Sequence, residues 1–441
     1  MTAAYGRLLY GGFALAGRLV LDNNSISKIL RFQVFYIFFL RFFVDILHFP
    51  STISYGIDLL NLTITVFFLY SKISKRKIFN AGLTGVAVSV VILMIFVIFD
   101  GIINLVKPQL ILWAFRNTMR YYPFFFSIIV FWDEKMLDRM IKLFIRLQYI
   151  NFIIVVFQYF VLGLKQDYIG GIFGHTTGCN AALNIYLCIV TSLYVEKYIH
   201  KKIKLIPLLA NIIIFLATTV LAELKIGFVE LPLIIILAVL LNKPSFKTII
   251  ATIAVTLMIP IGIQSMISLF PQWAYSFENL SAFLGTATEI GGGYNISRLG
   301  AFSDINNLFF HNDLSKKILG LGFGNCEYSS INFFTSTFYE RYGWLHYRWF
   351  THQTWFLECG YLGIILYFLF FVTLFFWFVK QKRTYGDING FGSFGQIIIA
   401  LCFLNFIYNS SLRAEEGYIL FLALALPCLR YSCLSVKQND V

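Results

Sequence analysis

Apolar residues along the chain come in long blocks, separated by short stretches rich in Lys, Arg, Asn, Pro and Gly. A hydrocarbon layer of roughly 30 Å takes about 20 apolar residues per helical span. Twelve blocks approach that length: 32–49, 53–70, 82–99, 110–132, 143–163, 180–195, 205–221, 226–241, 248–269, 356–379, 393–409 and 417–434. The sixth and eighth are short, which implies tilt or burial inside protein. The pattern predicts an all-α polytopic membrane protein with about 12 transmembrane helices. Residues 1–31 form a lead-in, 32–269 carry spans one to nine, 270–355 are the one long soluble stretch, 356–434 carry the last three spans, and 435–441 are a tail.

Composition supports this division. Hydrophobic residues make up 59% and charged residues only 13%, against about 25% charged in soluble domains. Mean hydropathy is +0.75, so an ordinary soluble fold is excluded. The net charge of +13 does not point to nucleic acid, because the basic residues fall in short clusters between apolar blocks. One set of clusters holds Lys28 and Arg31, Lys72 to Lys77, Lys135 to Lys142, Lys197 to Lys204, Lys243 and Lys247, Lys380 to Arg383, and Arg430 with Lys437. The short loops of the other set hold only Lys107, Lys165, Lys225 and Arg413. Positive charge is retained in the cytoplasm. Both termini are therefore expected there, with 270–355 on the outer face. Residues 3–20 carry Arg7 and Arg18 and lack the apolar core of a cleavable signal, so they read as a cytoplasmic, interfacial lead-in.

The cysteines form no CxxC and no zinc pattern. Cys188, Cys402 and Cys428 fall inside spans as packing residues. Cys179, Cys326 and Cys359 fall where an oxidising compartment is within reach, and a Cys326–Cys359 disulfide is one option. Among histidines, His48, His175, His311, His346 and His352 fall at or near the outer face; no HExxH and no DxD motif accompanies them.

Charges at span ends carry more information, since each is costly in hydrocarbon unless partnered or wet. Arg116 and Arg120 share one face of the fourth span. They form either an anion site or internal ion pairs with Asp45, Asp58 or Asp100. Glu223 and Lys225 occupy the tight turn between spans seven and eight. A lysine at a helix start opposes the helix dipole; an anionic ligand would resolve the conflict, and so would snorkelling to lipid headgroups. The large loop is dense in Tyr, Phe and Trp, which suits sugar stacking and membrane docking equally. It contains Ser297-Arg298-Leu299 and the run Gly320-Leu321-Gly322-Phe323-Gly324, and ends in His352-Gln353 ahead of Glu358, Gly360 and Gly363. Alternate glycines allow close backbone approach, and no GK[ST] follows them to make a P-loop.

Together these features resemble the O-antigen polymerase and O-antigen ligase superfamily of bacterial polysaccharide assembly, over most of the chain. The resemblance rests on the span count and on the loop between the ninth and tenth spans. It rests also on Gly171-Ile172-Phe173-Gly174-His175 with Asn180, which is similar to a G-x-F-x-H-x-N segment, and on the basic residue at the seventh-to-eighth turn. The last features are an Arg ahead of G-x-G-x-G and a His ahead of E-x-G-x-x-G. Lys225 stands where relatives often carry Arg, and the stretch from Gln353 to Gly360 is about one helical turn shorter than in many of them.

The resemblance implies a GT-C-like glycosyltransferase of the bacterial inner membrane that needs neither metal nor cofactor. An acceptor hydroxyl attacks the anomeric carbon of a glycan held on undecaprenyl diphosphate, and the lipid diphosphate leaves. Inversion at that carbon is expected by analogy. Such chemistry needs cations on the diphosphate and a general base at the hydroxyl. Arg298 and Lys225 are the first choice as diphosphate ligands, with Arg116, Arg120, Arg341 and Arg348 as further candidates. His352 is the first choice as base, with Glu223 and Glu358 as rivals and His311 and His175 as other candidates. Donor and acceptor lipid-linked oligosaccharides, membrane lipids and a chain-length regulator are the implied partners. A polymerase is favoured because the Glu223-Leu224-Lys225 turn resembles capsule and exopolysaccharide polymerases. A ligase acting on lipid A core is the close alternative, and a lipid-linked oligosaccharide transporter the alternative of another class.

Overall fold

The computed structural model describes residues 23–243, 245–274, 289–290 and 293–439. Arg7 and Arg18 of the lead-in lie outside these, as do residues 275–288 of the large loop.

The helices in chain order are α1 (Asn23–Arg41), α2 (Tyr55–Tyr70), α3 (Lys72–Asn80), α4 (Thr84–Ile103), α5 (Pro108–Met119), α6 (Tyr121–Phe131), α7 (Glu134–Phe160), α8 (Asn180–Ile199), α9 (Leu205–Leu221), α10 (Gly227–Leu241) and α11 (Phe246–Leu269). The described residues of the segment that follows carry three short helices, α12 (Ala301–Ile305), α13 (Leu314–Leu319) and α14 (Thr337–Tyr342). Three long ones close the fold: α15 (Thr351–Tyr385), α16 (Phe391–Tyr408) and α17 (Gly417–Asn439). The β pairing among the described residues is one two-residue antiparallel contact, with Glu289 opposite Tyr294 and Ile290 opposite Gly293.

Among the described residues, seven helical segments are long and apolar enough to cross a membrane: Ser51–Tyr70, Thr84–Ile103, Glu134–Phe160, Thr248–Leu269, Thr351–Tyr385, Ile388–Tyr408 and Gly417–Ser435. Three shorter apolar helices, Tyr121–Phe131, Leu205–Leu221 and Gly227–Leu241, stand beside them. Large apolar side chains face outward on α2 (Leu59, Leu62, Leu69) and on α11 (Ile249, Ile253, Leu257, Ile261). Faces of that kind are stable against lipid, not water. The chain is a membrane-embedded, polytopic helical protein.

The departures from twelve uniform spans have local causes. The block at 110–132 is divided at Arg120 into α5 and α6. Pro123 has no N–H to give the preceding turn, and the Arg120 carbonyl accepts Asn61 Nδ2 at 2.7 Å. The block at 180–195 belongs to α8, which is buried along its length from Ala182 to Glu196 and touches α9, α10 and α16. Its polar groups are met by protein: Asn184 Nδ2 donates to Glu230 Oε2 at 2.7 Å, and Asn211 Nδ2 to Thr191 Oγ1 at 3.0 Å. In the first block α1 is already helical from Asn23, the first described residue, and it closes in a π-turn at Phe42–Ile46.

Segment 295–350 folds into a cap with a small core of its own, in which Ile296, Ala301, Ile305, Phe310, Cys326, Leu345 and Tyr347 pack on Phe356 and Leu357 of α15. α15 starts at Thr351, earlier than the expected tenth span, and breaks at Gly360 (φ 57, ψ −159). Just before the break, the carbonyls of Leu357 and Glu358 accept Leu321 N at 2.8 Å and Gly322 N at 2.9 Å. The glycine run is thus packed against backbone. A Cβ on Gly320 would stand 2.4 Å from the Glu358 carbonyl, and one on Gly360 2.5 Å from that of Ile318. Cys326 and Cys359 are both free, buried thiols, so the optional disulfide is not formed.

Candidate functional site

The turn between α9 and α10 closes because Glu223 adopts a left-handed backbone (φ 52) and its carbonyl accepts Lys225 N at 3.0 Å. Glu223 is buried at this turn and Lys225 is half-buried. Arg298, in the cap, comes within electrostatic reach of Lys225. The residue before it is held in place: Ser297 N and Oγ donate to Asp304 Oδ2 at 3.0 and 2.8 Å, and Gln353 Nε2 donates to Ser297 O at 3.1 Å. The Arg298 guanidinium lies 4.3 Å from the Tyr408 ring centroid and 4.7 Å from that of Phe350, a cation–π sandwich. Its Nε has no hydrogen-bond partner among the described residues.

The two cations feel each other. Burial, and then the Arg298 charge, push the Lys225 ammonium down to about 8, against the pull of Glu223 and Asp167. Burial also lowers Arg298, opposed by Tyr408. Two partly desolvated like charges held together are costly, and an anion between them would remove the cost.

The other sequence candidates are placed differently. Arg116 and Arg120 meet Asp58, which was one of the three acids expected to pair with them. Arg116 donates to Asp58 through Nε at 3.0 Å and makes a second, shorter contact through Nη2. Arg120 Nη1 lies 3.5 Å from Asp58 Oδ1 and 3.9 Å from Glu415 Oε1. Arg348 Nη2 lies 3.6 Å from Glu327 Oε2, while Arg341 is exposed at the end of α14. His311 is exposed in a left-handed turn of the cap. His175 donates its backbone N–H to Asp45 Oδ2 at 3.3 Å. Glu358 is buried under the cap, accepting from Cys326 N at 3.0 Å and lying 3.5 Å from Arg413 Nη1. His352 is buried at the start of α15, its Nε2 2.8 Å from Arg298 O. Of the six candidate cations, the fold therefore places Arg298 and Lys225 within electrostatic reach of each other and pairs Arg116, Arg120 and Arg348 with acids.

Sequence reasoning passed over Tyr408, Asp167 and the turn Arg413-Ala414-Glu415-Glu416. Three charged residues in four at a span end were a usable signal in that turn; nothing marked Tyr408, an aromatic at the end of an apolar block. Among the described residues, the group with metal-ligand geometry is Glu196, His200 and Asp387, whose ligand atoms lie within 4.8 Å of one another. It sits at the opposite ends of the helices from Lys225 and Arg298, and Lys382 Nζ already stands 3.3 Å from Asp387 Oδ2.

No protein-family model and no curated protein matches this chain.

Proposed function

We propose that this chain is a metal-independent glycosyltransferase that joins undecaprenyl-diphosphate-linked oligosaccharides into a surface polysaccharide. One observation carries the reading: Lys225 and Arg298, far apart in sequence, come within electrostatic reach of each other, both partly buried, with Tyr408 and Phe350 stacked on the Arg298 guanidinium. An apolar cavity of about 420 Å³ between α9 and α11 runs toward the same turn, lined by Leu216, Val220, Leu221, Met258 and Ile261. Lys225 follows Leu221 of this groove by four residues, and a cation close to an apolar groove matches a ligand with a prenyl tail and a diphosphate head. The cations hold the diphosphate and stabilise the charge that grows on it as the glycosidic bond breaks. The bond energy stored in the donor drives transfer without nucleotide.

In this reading the chain has twelve spans in the bacterial inner membrane, both termini are cytoplasmic, and the cap lies outside. The test uses purified protein in liposomes with undecaprenyl-diphosphate oligosaccharide and no nucleotide. A glycan ladder supports the polymerase. Product formed only when lipid A core is added makes the protein a ligase. Movement of intact lipid across the bilayer without new glycosidic bonds makes it a transporter and ends the proposal.

A further inference from the structure

Beside the cation pair lies a second cavity of about 190 Å³, lined by Arg41, Thr176, Thr177, Cys179, Ser411 and Glu416 among others. At roughly 30 Å³ per water it holds about six waters, room for one sugar ring. Two of its polar groups lack a hydrogen-bond partner among the described residues: the Oγ of Ser411, a residue 2% exposed, and Glu416 Oε2. Each is open to a hydrogen bond that a molecule entering the cavity would supply.

The lining states what kind of molecule fits. A carboxylate repels an anion and Arg41 repels a cation, while hydroxyls, a carboxylate and a guanidinium together both give and accept hydrogen bonds. That mixture suits a neutral polyhydroxyl ring. The cavity adjoins the cation pair through two residues. Ser410 lines it and is two positions from Tyr408, which stacks on Arg298. Cys179 lines it and donates its thiol to the Asp167 carbonyl at 3.3 Å, and the Asp167 carboxylate acts on Lys225.

We infer that this cavity receives the acceptor sugar, and that Glu416 takes the proton from its attacking hydroxyl. The inference rests on the transferase reading. The acceptor O–H bond breaks and its proton goes to the Glu416 carboxylate. The freed oxygen forms a bond to the anomeric carbon of the donor. The bond from that carbon to the lipid diphosphate breaks, and its electron pair leaves on the diphosphate oxygen toward Lys225 and Arg298.

The neighbouring Glu415 is unsuited to the task, lying 3.9 Å from both Arg120 Nη1 and Arg41 Nη2. Burial pushes the Glu415 carboxyl up, but Arg120 and Arg41 hold it below its ordinary value. Burial and the Glu415 charge push Glu416 up against the pull of Arg41 and Arg120, which makes it the stronger base of the two. Cys179, facing it from the start of α8, stays a neutral thiol, because burial raises it to about 12.

The experiment compares wild type with Glu416→Gln, full-length in liposomes, supplied with undecaprenyl-diphosphate oligosaccharide. The variant should lose about 10²–10⁴-fold in transfer rate while binding undecaprenyl diphosphate within about twofold of wild type. Transfer at the wild-type rate overturns the assignment of Glu416 and leaves the transferase reading standing. A wild type that forms no glycosidic bond overturns that reading and this assignment with it. Should Glu416→Gln fail to fold, dicyclohexylcarbodiimide on the wild type decides. Glu416 should be labelled, and the lipid-linked oligosaccharide should protect it; absence of labelling, or labelling without protection, overturns the inference.

Discussion

His352 Nε2 lies 2.8 Å from the backbone carbonyl of Arg298, and His352 Nδ1 lies 3.3 Å from that of Phe406. A neutral imidazole carries one N–H and one lone pair. With a carbonyl at each nitrogen, neither nitrogen is turned toward a substrate hydroxyl. These contacts tie the Arg298 backbone to α15 and α16, and in the proposed reaction they give His352 the part of a positioning residue.

His352→Ala should therefore act through Arg298. Losing one partner of a buried hydrogen bond costs about 1–3 kcal/mol, which is about 5- to 150-fold in affinity for undecaprenyl diphosphate where the whole of it falls on the bound state. His352→Gln keeps a donor for the carbonyl and should recover most of that binding. Were the imidazole the base, the glutamine variant would bind normally and fail to turn over; KM and kcat measured separately distinguish the two roles.

Lys225 gives a pH dependence with two opposite signs. Its ammonium titrates near 8 in the folded protein, below its ordinary value of 10.5, because of burial and Arg298. Undecaprenyl diphosphate affinity should fall as pH rises through about 8, where the cation is lost. Between the two values the unfolded chain binds more protons at this residue than the folded one, so the ligand-free protein should gain stability over the same rise. Lys225→Arg should hold affinity level through this window, because a guanidinium stays charged. Affinity for wild type that does not change between neutral pH and pH above 8 would remove Lys225 from the diphosphate site.

The glycine run makes a purely structural prediction. Gly320 and Gly360 have positive φ, and an added Cβ on either would meet backbone at 2.4 to 2.5 Å. Backbone strain and overpacking each cost about 1–3 kcal/mol, so Gly320→Ala and Gly360→Ala should each lower stability by roughly 2–6 kcal/mol. Gly163 also has positive φ but open space around it, and Gly163→Ala should cost only about 1 kcal/mol. Thermal unfolding in detergent ranks the three, and equal losses would refute the packing role.

The sequence announced the helical membrane architecture, because apolar blocks report burial in lipid directly. It was less able to announce which blocks are surrounded by protein. α8 carries Asn184, Thr191 and Glu196, and their partners come from α9, α10 and the Asn242 turn. Lys225 could be singled out because it conflicts with the helix dipole, a local property. The pairing of Arg116 and Arg120 with Asp58 depends on how α2 packs beside α5 and α6, which no spacing records. The break before α6 was available in Pro123. Glu416 was hidden because its turn reads as loop charge until a cavity is seen beside it.

Arg413 carries the remaining prediction. It pairs closely with Glu327, and its Nη1 lies 3.5 Å from Glu358 Oε2. Glu327 is fully buried, and it also accepts Asn117 Nδ2 at 3.2 Å and faces Arg348 at 3.6 Å. This one cluster joins the turn between α16 and α17 to the cap, to α15 and to α5. Removing one partner from a buried ionic cluster leaves charge uncompensated and costs about 3–5 kcal/mol. Arg413→Met should lose that much in a thermal or denaturant unfolding measurement. Adding Glu327→Gln should restore part of the loss, since a neutral amide no longer requires the guanidinium. If the double variant is no more stable than the single one, Arg413 stabilises the cap by packing and not by charge.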